Sequence, residues 1–194
     1  MIKKGILLLA AGAGKRFGGD KLSAVVDGQP MYIRAMDVID AQVDVVHRIV
    51  VTGQPSILTE GKMRGWDVVI NENPEKGISW SIRLGMEQML KAVPDLDGIL
   101  FMVCDQPWLT KETVGRMLTQ FEKGILSLSY NGCSGTPVVF SKYYFEELMT
   151  LEGDVGGRQV MNRHKAEIYY LEIFNERELR DVDRREELNE QEDS

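Results

Sequence analysis

An apolar run that leads directly into a glycine-rich, cationic turn constrains the fold of this chain more than any other feature. The run covers residues 6–10, and the turn that follows carries Lys15, Arg16 and Lys21. Glycines let backbone N–H groups approach an anion closely, and lysine and arginine side chains supply positive charge. The pattern therefore predicts a buried strand that ends in a phosphate-binding turn.

The charge of this segment contrasts with that of the whole protein. Residues 1–21 contain five lysines and arginines and one aspartate, whereas the chain of 194 residues has a formal net charge of −7. A positive pole on an acidic protein favours a small polyanion as ligand. A nucleic acid would favour a wider basic surface, so we expect no nucleic-acid partner.

Two common phosphate-binding motifs do not fit the turn. A Walker loop would need a glycine in place of Leu9 and a hydroxyl in place of Arg16. A dinucleotide-binding fingerprint would need glycine or alanine in place of Phe17, where helix and strand pack closely. The turn is therefore predicted to bind phosphate by another arrangement. The alternative is an ordinary strand-to-helix turn with surface lysines.

The composition is that of a globular protein, with 43% hydrophobic and 27% charged residues. No apolar run reaches the length that spans a bilayer, so we expect no membrane partner. The chain has two cysteines and two histidines, without a CxxC pair, which makes a zinc site of the usual type improbable and favours the cytoplasm. Cys104 lies in an apolar run and is interpreted as a core residue.

Short apolar runs alternate with amphipathic stretches along the chain. The runs at 6–10 and 99–104 are apolar throughout, which is typical of strands buried on both faces of a parallel sheet. The alternation predicts a three-layer α/β sandwich with ligands at the carboxyl ends of the strands. The charged residues 175–194 are expected to form an exposed last helix with a frayed end. Predicted strands cover 5–10, 48–52, 67–71, 98–104, 126–130, 137–140 and 167–171. Predicted helices cover 31–41, 56–64, 78–92, 111–121, 142–151 and 155–163.

Four further polar residues follow predicted strands or begin predicted helices. Asp105 follows the most apolar strand, where it could hold Mg²⁺ against bound phosphates or simply open a turn. Ser81 falls in the first turn of a helix, where a hydroxyl can meet a ligand or cap the helix. Asp154, beside several glycines, could cap the next helix or approach a ligand. Asp183 resembles a capping residue.

Six short segments, taken in their order along the chain, resemble those of the molybdenum cofactor cytidylyltransferases. These enzymes are MobA-like members of the NTP transferase superfamily. The similar segments span roughly residues 4–190. The Leu-Ala-Ala-Gly opening is closer to the cytidylyl branch than to the related guanylyltransferases. Phe17 and Arg184 depart from the usual pattern. The matching segments are 9–21, 77–82, 105–107, 135–137, 153–158 and 181–183.

The resemblance implies a Rossmann-like, mostly parallel sandwich of the nucleotide-diphospho-sugar transferase type. It implies one nucleotidyltransferase domain over residues 1–190, with 191–194 as a frayed tail. The implied reaction transfers CMP from CTP to the terminal phosphate of a molybdenum-loaded molybdopterin, and pyrophosphate leaves.

The residue roles combine the resemblance with the chemistry of each side chain. Arg16 and Lys21 are assigned to the triphosphate and leaving group. Asp105 is assigned to Mg²⁺, with Asp183 or Asp154 as a second metal contact. These three residues, Arg16, Lys21 and Asp105, form the expected catalytic set. The expected nucleotide-binding residues are Leu9, Ala10, Ala11, Gly12, Ala13, Gly14, Arg16, Lys21 and Ser81.

Other functions share most of these features. A GTP-dependent enzyme, or one acting on a sugar or isoprenoid phosphate, would use the same fold. A non-catalytic chaperone for the molybdenum cofactor would keep the fold without turnover. The expected partners are CTP and a molybdopterin-type substrate, with a molybdenum hydroxylase or its maturation factor as a candidate recipient of the product.

Overall fold

A computed structural model describes residues 2–12 and 17–188 of the chain. Ala13, Gly14, Lys15 and Arg16 therefore lie outside the described residues, as does the predicted frayed tail at 191–194. None of the helices in the described ranges is both long and apolar enough to cross a membrane.

The centre of the fold is a seven-stranded sheet with the order β5-β4-β1-β6-β8-β7-β9. Strand β8 runs antiparallel to its neighbours, and the other pairings are parallel. A two-residue pair, β2 and β3, forms a separate hairpin. The strands are β1 (Lys4–Ala10), β2 (Val25–Val26), β3 (Gln29–Pro30), β4 (His47–Thr52), β5 (Asp67–Ile70), β6 (Gly98–Val103), β7 (Ile125–Tyr130), β8 (Cys133–Ser141) and β9 (Ile168–Glu172).

Helices cover both faces of the sheet, which confirms the predicted three-layer α/β architecture. Ile6 and Leu8 of β1 pack in a cluster that includes residues of α1, α2 and α4. Leu7 points to the other face and packs in a cluster with residues of α3, α5 and α6. The helices are α1 (Met31–Asp40), α2 (Pro55–Met63), α3 (Ile78–Ala92), α4 (Lys111–Gln120), α5 (Phe145–Met149) and α6 (Arg158–Arg163).

Most predicted elements match the structure to within one or two residues, and α3 has the predicted bounds. Two helices are shorter than predicted. The stretch from residue 142 begins as a 3₁₀ turn, Lys142–Tyr144, before α5. Helix α6 begins only at Arg158, with Gly157 as its N-cap, so Asp154 does not cap it. Two glycines at 156–157 delay the helix because glycine is a poor helix former.

The expected last helix was wrong. Within residues 175–188 the structure shows two 3₁₀ turns, Glu176–Leu179 and Arg185–Leu188, joined by an extended segment. Residues 175–188 are also held to the rest of the fold by contacts of the first turn. Glu178 is 6% exposed and accepts hydrogen bonds from the backbone N–H and the hydroxyl of Thr110 at 3.2 and 2.9 Å. Tertiary contacts therefore override the charged, helix-like pattern of the sequence.

Candidate functional site

Two parallel neighbours, β1 and β6, bring the predicted turn and the predicted metal ligand to the same edge of the sheet. Leu9 pairs with Val103 in the parallel register. The glycine turn follows the last residue of β1, and Asp105 follows β6 by two residues. Because parallel strands end at the same edge, the two segments meet there.

A cleft of about 470 Å³ with both charged and apolar lining residues runs along this edge. Every predicted site residue within the described ranges lines the cleft, whereas Ala13, Gly14 and Arg16 fall outside those ranges and their roles stay predictions. The predicted residues that line the cleft are Leu9, Ala10, Ala11, Gly12, Lys21, Ser81, Asp105, Asp154 and Asp183.

Lys21 lies between two carboxylates. Its ammonium donates to Asp105 Oδ2 and to Asp183 Oδ1, at 2.8 Å in each case. Desolvation by burial opposes the charged ammonium, but the hydrogen bonds and charges of both carboxylates outweigh it and raise the pKa of Lys21 above its usual value. Lys21 is therefore a charged residue of the cleft lining, paired with two carboxylates.

The carboxyl-terminal segment carries Asp183 to this position. The Val182 N–H donates to the Asp105 carbonyl at 2.9 Å, and the Val182 side chain is fully buried beside Phe17 and Met31. The same backbone contact therefore fixes both acidic residues relative to each other. Sequence reasoning named Asp183 but missed this anchor, which a single buried valine in a charged segment could have signalled.

A second contact positions the loop that carries Asp154. Both the backbone N–H and the hydroxyl of Ser79 donate to the Gly153 carbonyl, at 3.3 and 2.7 Å. Gly77, the N-cap of α3, lies so close that a Cβ there would stand 2.4 Å from the same carbonyl oxygen. The start of α3 and the Asp154 loop therefore form one wall of the cleft.

Ser81 lies deeper in the same wall. The residue is 4% exposed, and its hydroxyl accepts a hydrogen bond from Asn71 Nδ2 at 2.9 Å. That bond holds the hydroxyl in one orientation and leaves its proton available for donation. Asn71, which sequence reasoning missed, therefore positions Ser81.

The pair Asp105 and Asp183 fits a hard divalent cation. The two carboxylate oxygens already converge on one positive charge, the Lys21 ammonium. Among the described residues there is no cluster of three or more potential metal ligands. Mg²⁺ typically uses one or two carboxylates and takes its remaining ligands from substrate phosphates and water. Asp105 and Asp183 therefore fit an Mg²⁺ ion whose remaining ligands come from substrate phosphates and water.

A second cavity of about 300 Å³ adjoins the cleft and shares Leu9, Ile78 and Val103 with it. Its wall is mostly apolar and comes from the sheet and from α3, α5 and α6. Sequence reasoning did not find this cavity, although segments 135–137 and 153–158 both supply residues to it. Its polar lining residues are Gln106, Ser134, Thr136, Arg158 and Asp181.

Gln106 is the most unusual polar residue of this second cavity. The residue is 4% exposed, and its Nε2 donates to the Leu179 carbonyl at 3.4 Å. Its Oε1 is buried and has no hydrogen-bond partner in the described part of the protein. A buried acceptor without a donor is costly, so a ligand with an N–H or O–H group would satisfy it.

Asp181 is close to three charged groups at the border between the two spaces. Desolvation by surrounding atoms, together with the negative charges of Asp105 and Asp183, raises the pKa of Asp181 to about 6, although part of the residue faces solvent. Gln106 and Lys21 act in the opposite direction. Asp181 is exposed, and the direction of this shift means that its carboxyl group is harder to ionise than that of an ordinary aspartate.

Cys104 is not a candidate nucleophile. The residue is 1% exposed in the core cluster, and burial, with the charge of Asp105, raises the pKa of its thiol far above the usual value. A buried thiol with a raised pKa stays protonated and unreactive.

A mostly parallel sheet with a cleft at the carboxyl ends of its strands is the arrangement in which open α/β proteins bind their ligands. The chain matches the model of the MobA-like NTP transferase domain over residues 6–168. It belongs to this family and is a nucleotidyltransferase. Asp181 and Asp183 lie beyond the matched residues.

Two relatives match this chain over most of its length. The chain is 24% identical to the purine catabolism protein PucB of Bacillus subtilis (strain 168), over 94% of this chain and 93% of the relative. It is 26% identical to the nicotine blue oxidoreductase of Paenarthrobacter nicotinovorans, with the same two coverages.

Two solved structures have the same fold. A nucleotidyl transferase from Methanothermobacter superposes with a TM-score of 0.78 at 19% identity, over 94% of this chain and 92% of that one. The manganese complex of Rv0371c from Mycobacterium tuberculosis H37Rv superposes with a TM-score of 0.72 at 22% identity, over 88% of each chain. That second protein binds a divalent metal on this fold.

Proposed function

We propose that this protein transfers CMP from CTP to the terminal phosphate of a molybdopterin that carries molybdenum. The observation that carries the proposal is the convergence of Lys21, Asp105 and Asp183 in a cleft that opens into a second, mostly apolar cavity. The first space suits a metal-bound triphosphate. The second suits the head group of an acceptor.

The reaction needs no protein nucleophile. A phosphate oxygen of the acceptor attacks the α-phosphorus of CTP, the bond from that phosphorus to the oxygen bridging to the β-phosphate breaks, and pyrophosphate leaves with the electron pair. The acceptor oxygen is already anionic, so no side chain has to remove a proton. Catalysis then consists of positioning two anions and stabilising the charge that develops on the leaving group.

The residues of the cleft divide these tasks. Lys21 and Arg16 stabilise the triphosphate and the departing pyrophosphate, and the backbone of residues 11–14 holds phosphates or the base edge. Asp105 and Asp183 are the residues that would hold Mg²⁺, which when bound would neutralise part of the phosphate charge. Asp183 is favoured over Asp154 as the second ligand because it shares a cation with Asp105. Ser81 helps to place the nucleotide.

The choice of CTP is tested by product identification. We expect the protein, given molybdenum-loaded molybdopterin, Mg²⁺ and one nucleotide at a time, to form the cytidine dinucleotide and to release pyrophosphate with CTP. GTP and ATP are expected to give little product. The proposal rests on the Ala10-Ala11-Gly12 form of the turn, whose three residues line the cleft. Preferential use of GTP, or of a sugar or isoprenoid phosphate as acceptor, would contradict it. Nucleotide binding without pyrophosphate release would indicate a chaperone instead.

We assign recognition of the acceptor substrate to the second cavity. There Gln106 Oε1 would accept a hydrogen bond from an N–H or O–H group of that substrate. Replacement Gln106→Leu is expected to raise the KM for the acceptor about tenfold or more, because one buried hydrogen bond is lost. The KM for CTP should stay unchanged. The matched control is Gln159→Leu at an exposed position of α6. Equal effects of Gln106→Leu on both KM values would point to a general structural defect.

The product of this reaction would pass to a molybdenum hydroxylase or to its maturation factor. Such a transfer fits the chemistry of the product, which is a finished dinucleotide form of the cofactor. Co-purification of the labelled product with such an enzyme would support this assignment.

A further inference from the structure

The Lys21 ammonium occupies the position between Asp105 and Asp183 that a shared metal ion would take. Each donor–acceptor distance is 2.8 Å. Mg²⁺ bound by the same two oxygens would stand at about 2.0–2.1 Å from each. Because the ammonium and such an ion would use the same two oxygens, the two cations compete for this pair of carboxylates.

Lys21 cannot simply leave this position for solvent. The side chain is 10% exposed, whereas those of Asp105 and Asp183 are 28% and 49% exposed. The Lys21 carbonyl accepts a hydrogen bond from the Ala24 N–H at 3.1 Å, so the backbone at the base of the side chain is held as well. An ammonium displaced from this pair needs another anion nearby, because a buried, unpaired charge is expensive.

A bare divalent metal ion and a metal–triphosphate complex differ in the charge and the hydrogen-bond acceptors that they bring to the Lys21 ammonium. A bare divalent ion would bring two positive charges next to Lys21 and provide no new partner for it. A metal chelated by a triphosphate brings excess negative charge and phosphate oxygens to which the ammonium can donate. The displacement is therefore unfavourable with the first ligand and compensated with the second.

We propose that Lys21 acts as a resident cation that excludes free divalent metal from Asp105 and Asp183 and yields the position only to metal that arrives with the nucleotide. The same side chain then moves from the carboxylates to the triphosphate. This inference rests on the proposed function for the identity of the ligand. It makes the metal part of the incoming substrate, so the free enzyme binds divalent metal weakly.

The test measures binding of Mn²⁺ alone to the full-length protein, by the loss of the free-ion electron paramagnetic resonance signal. In Lys21→Met the neutral side chain keeps the approximate length of lysine. We expect Mn²⁺ to bind this variant about tenfold or more tightly than wild type in the absence of nucleotide. Turnover with CTP should fall in the same variant, because the triphosphate loses its lysine. A gain in metal affinity together with a loss of turnover is not expected from general damage.

Two further variants control the measurement. Lys142→Met removes another lysine–aspartate pair, with Asp97 at 3.0 Å, and should leave Mn²⁺ affinity unchanged. Adding Asp183→Asn to Lys21→Met should abolish the gain, which assigns the ion to this pair of carboxylates. If Lys21→Met fails to fold, Lys21→Gln provides the same loss of charge. The rise of the melting temperature on adding Mn²⁺ gives an independent readout.

Unchanged or weaker Mn²⁺ binding in the folded Lys21 variants would overturn the inference. The metal measurement contains neither CTP nor acceptor, so its outcome does not depend on which reaction the protein catalyses. Conversely, a protein that fails to form any dinucleotide but shows the expected gain in Mn²⁺ affinity would contradict the proposed function alone.

Discussion

Replacement Asp105→Asn is expected to reduce turnover by about two to three decades, equivalent to about 3–4 kcal/mol of transition-state stabilisation. The change removes one of the two negative charges that converge on the shared cation position while preserving the size of the side chain. Folding should persist, because the contact with Val182 uses the Asp105 carbonyl and not its side chain. The measurement is kcat for pyrophosphate release, accompanied by the melting temperature.

The matched control for this variant lies at the other end of the same strand. Asp97 immediately precedes β6 and pairs with Lys142 at 3.0 Å, whereas Asp105 follows β6 and pairs with Lys21. Asp97→Asn therefore removes a similar aspartate–lysine pair at the opposite edge of the sheet and should leave kcat unchanged. Wild-type turnover in Asp105→Asn, or an equal loss in Asp97→Asn, would refute the role given to Asp105.

Replacement Gly77→Ala is expected to damage both stability and nucleotide binding. Gly77 has φ +83°, and a Cβ there would lie 2.4 to 2.6 Å from backbone atoms of Gly153 and Asp154. With ψ at 178°, Gly77 lies in a backbone region that essentially only glycine adopts, so a residue with a Cβ costs roughly 1–3 kcal/mol there, and separating the loops weakens the Ser79 hydrogen bonds to Gly153. We expect a loss of about 3 kcal/mol, which lowers the melting temperature by about 6–12 °C, and a higher KM for CTP.

Gly28→Ala separates the two costs of that change. Gly28 has nearly the same φ, +82°, but no heavy atom lies within 4 Å of an added Cβ. This control therefore has a positive φ without the collision, and should lose only about 1–2 kcal/mol with no change in KM for CTP. Equal losses of stability in the two variants would show that the contact between Gly77 and Gly153 does not organise the cleft.

Local patterns in the sequence were sufficient for most of the layered architecture. Helix α3 has the predicted bounds, and strands β1 and β6, which contain the apolar runs, are central in the sheet, as expected for strands buried on both faces. The hairpin of β2 and β3 was not predicted because each strand has only two residues. The last segment was mispredicted because its charges resemble a solvated helix, whereas contacts to Thr110 and Asp105 hold it extended.

Some features of the site could also be predicted from the sequence, and others could not. The positions of Lys21 and Asp105 at strand ends could be predicted, because a parallel sheet brings the carboxyl ends of its strands to one edge. The contact of both carboxylates with one ammonium could not, because Asp183 is 162 residues from Lys21 along the chain. The cavity around Gln106 was also missed, because its lining comes from separate segments that show no common pattern in sequence.

By itself, the sequence determined the class of fold, the family and the edge of the sheet that carries the cleft. Those properties follow from local periodicity and from short motifs, whose physical consequences do not depend on distant residues. Only the tertiary structure decided that one buried lysine holds two acidic segments together and that a second cavity adjoins the cleft. Such features depend on how distant segments pack, and packing is determined by the whole chain at once.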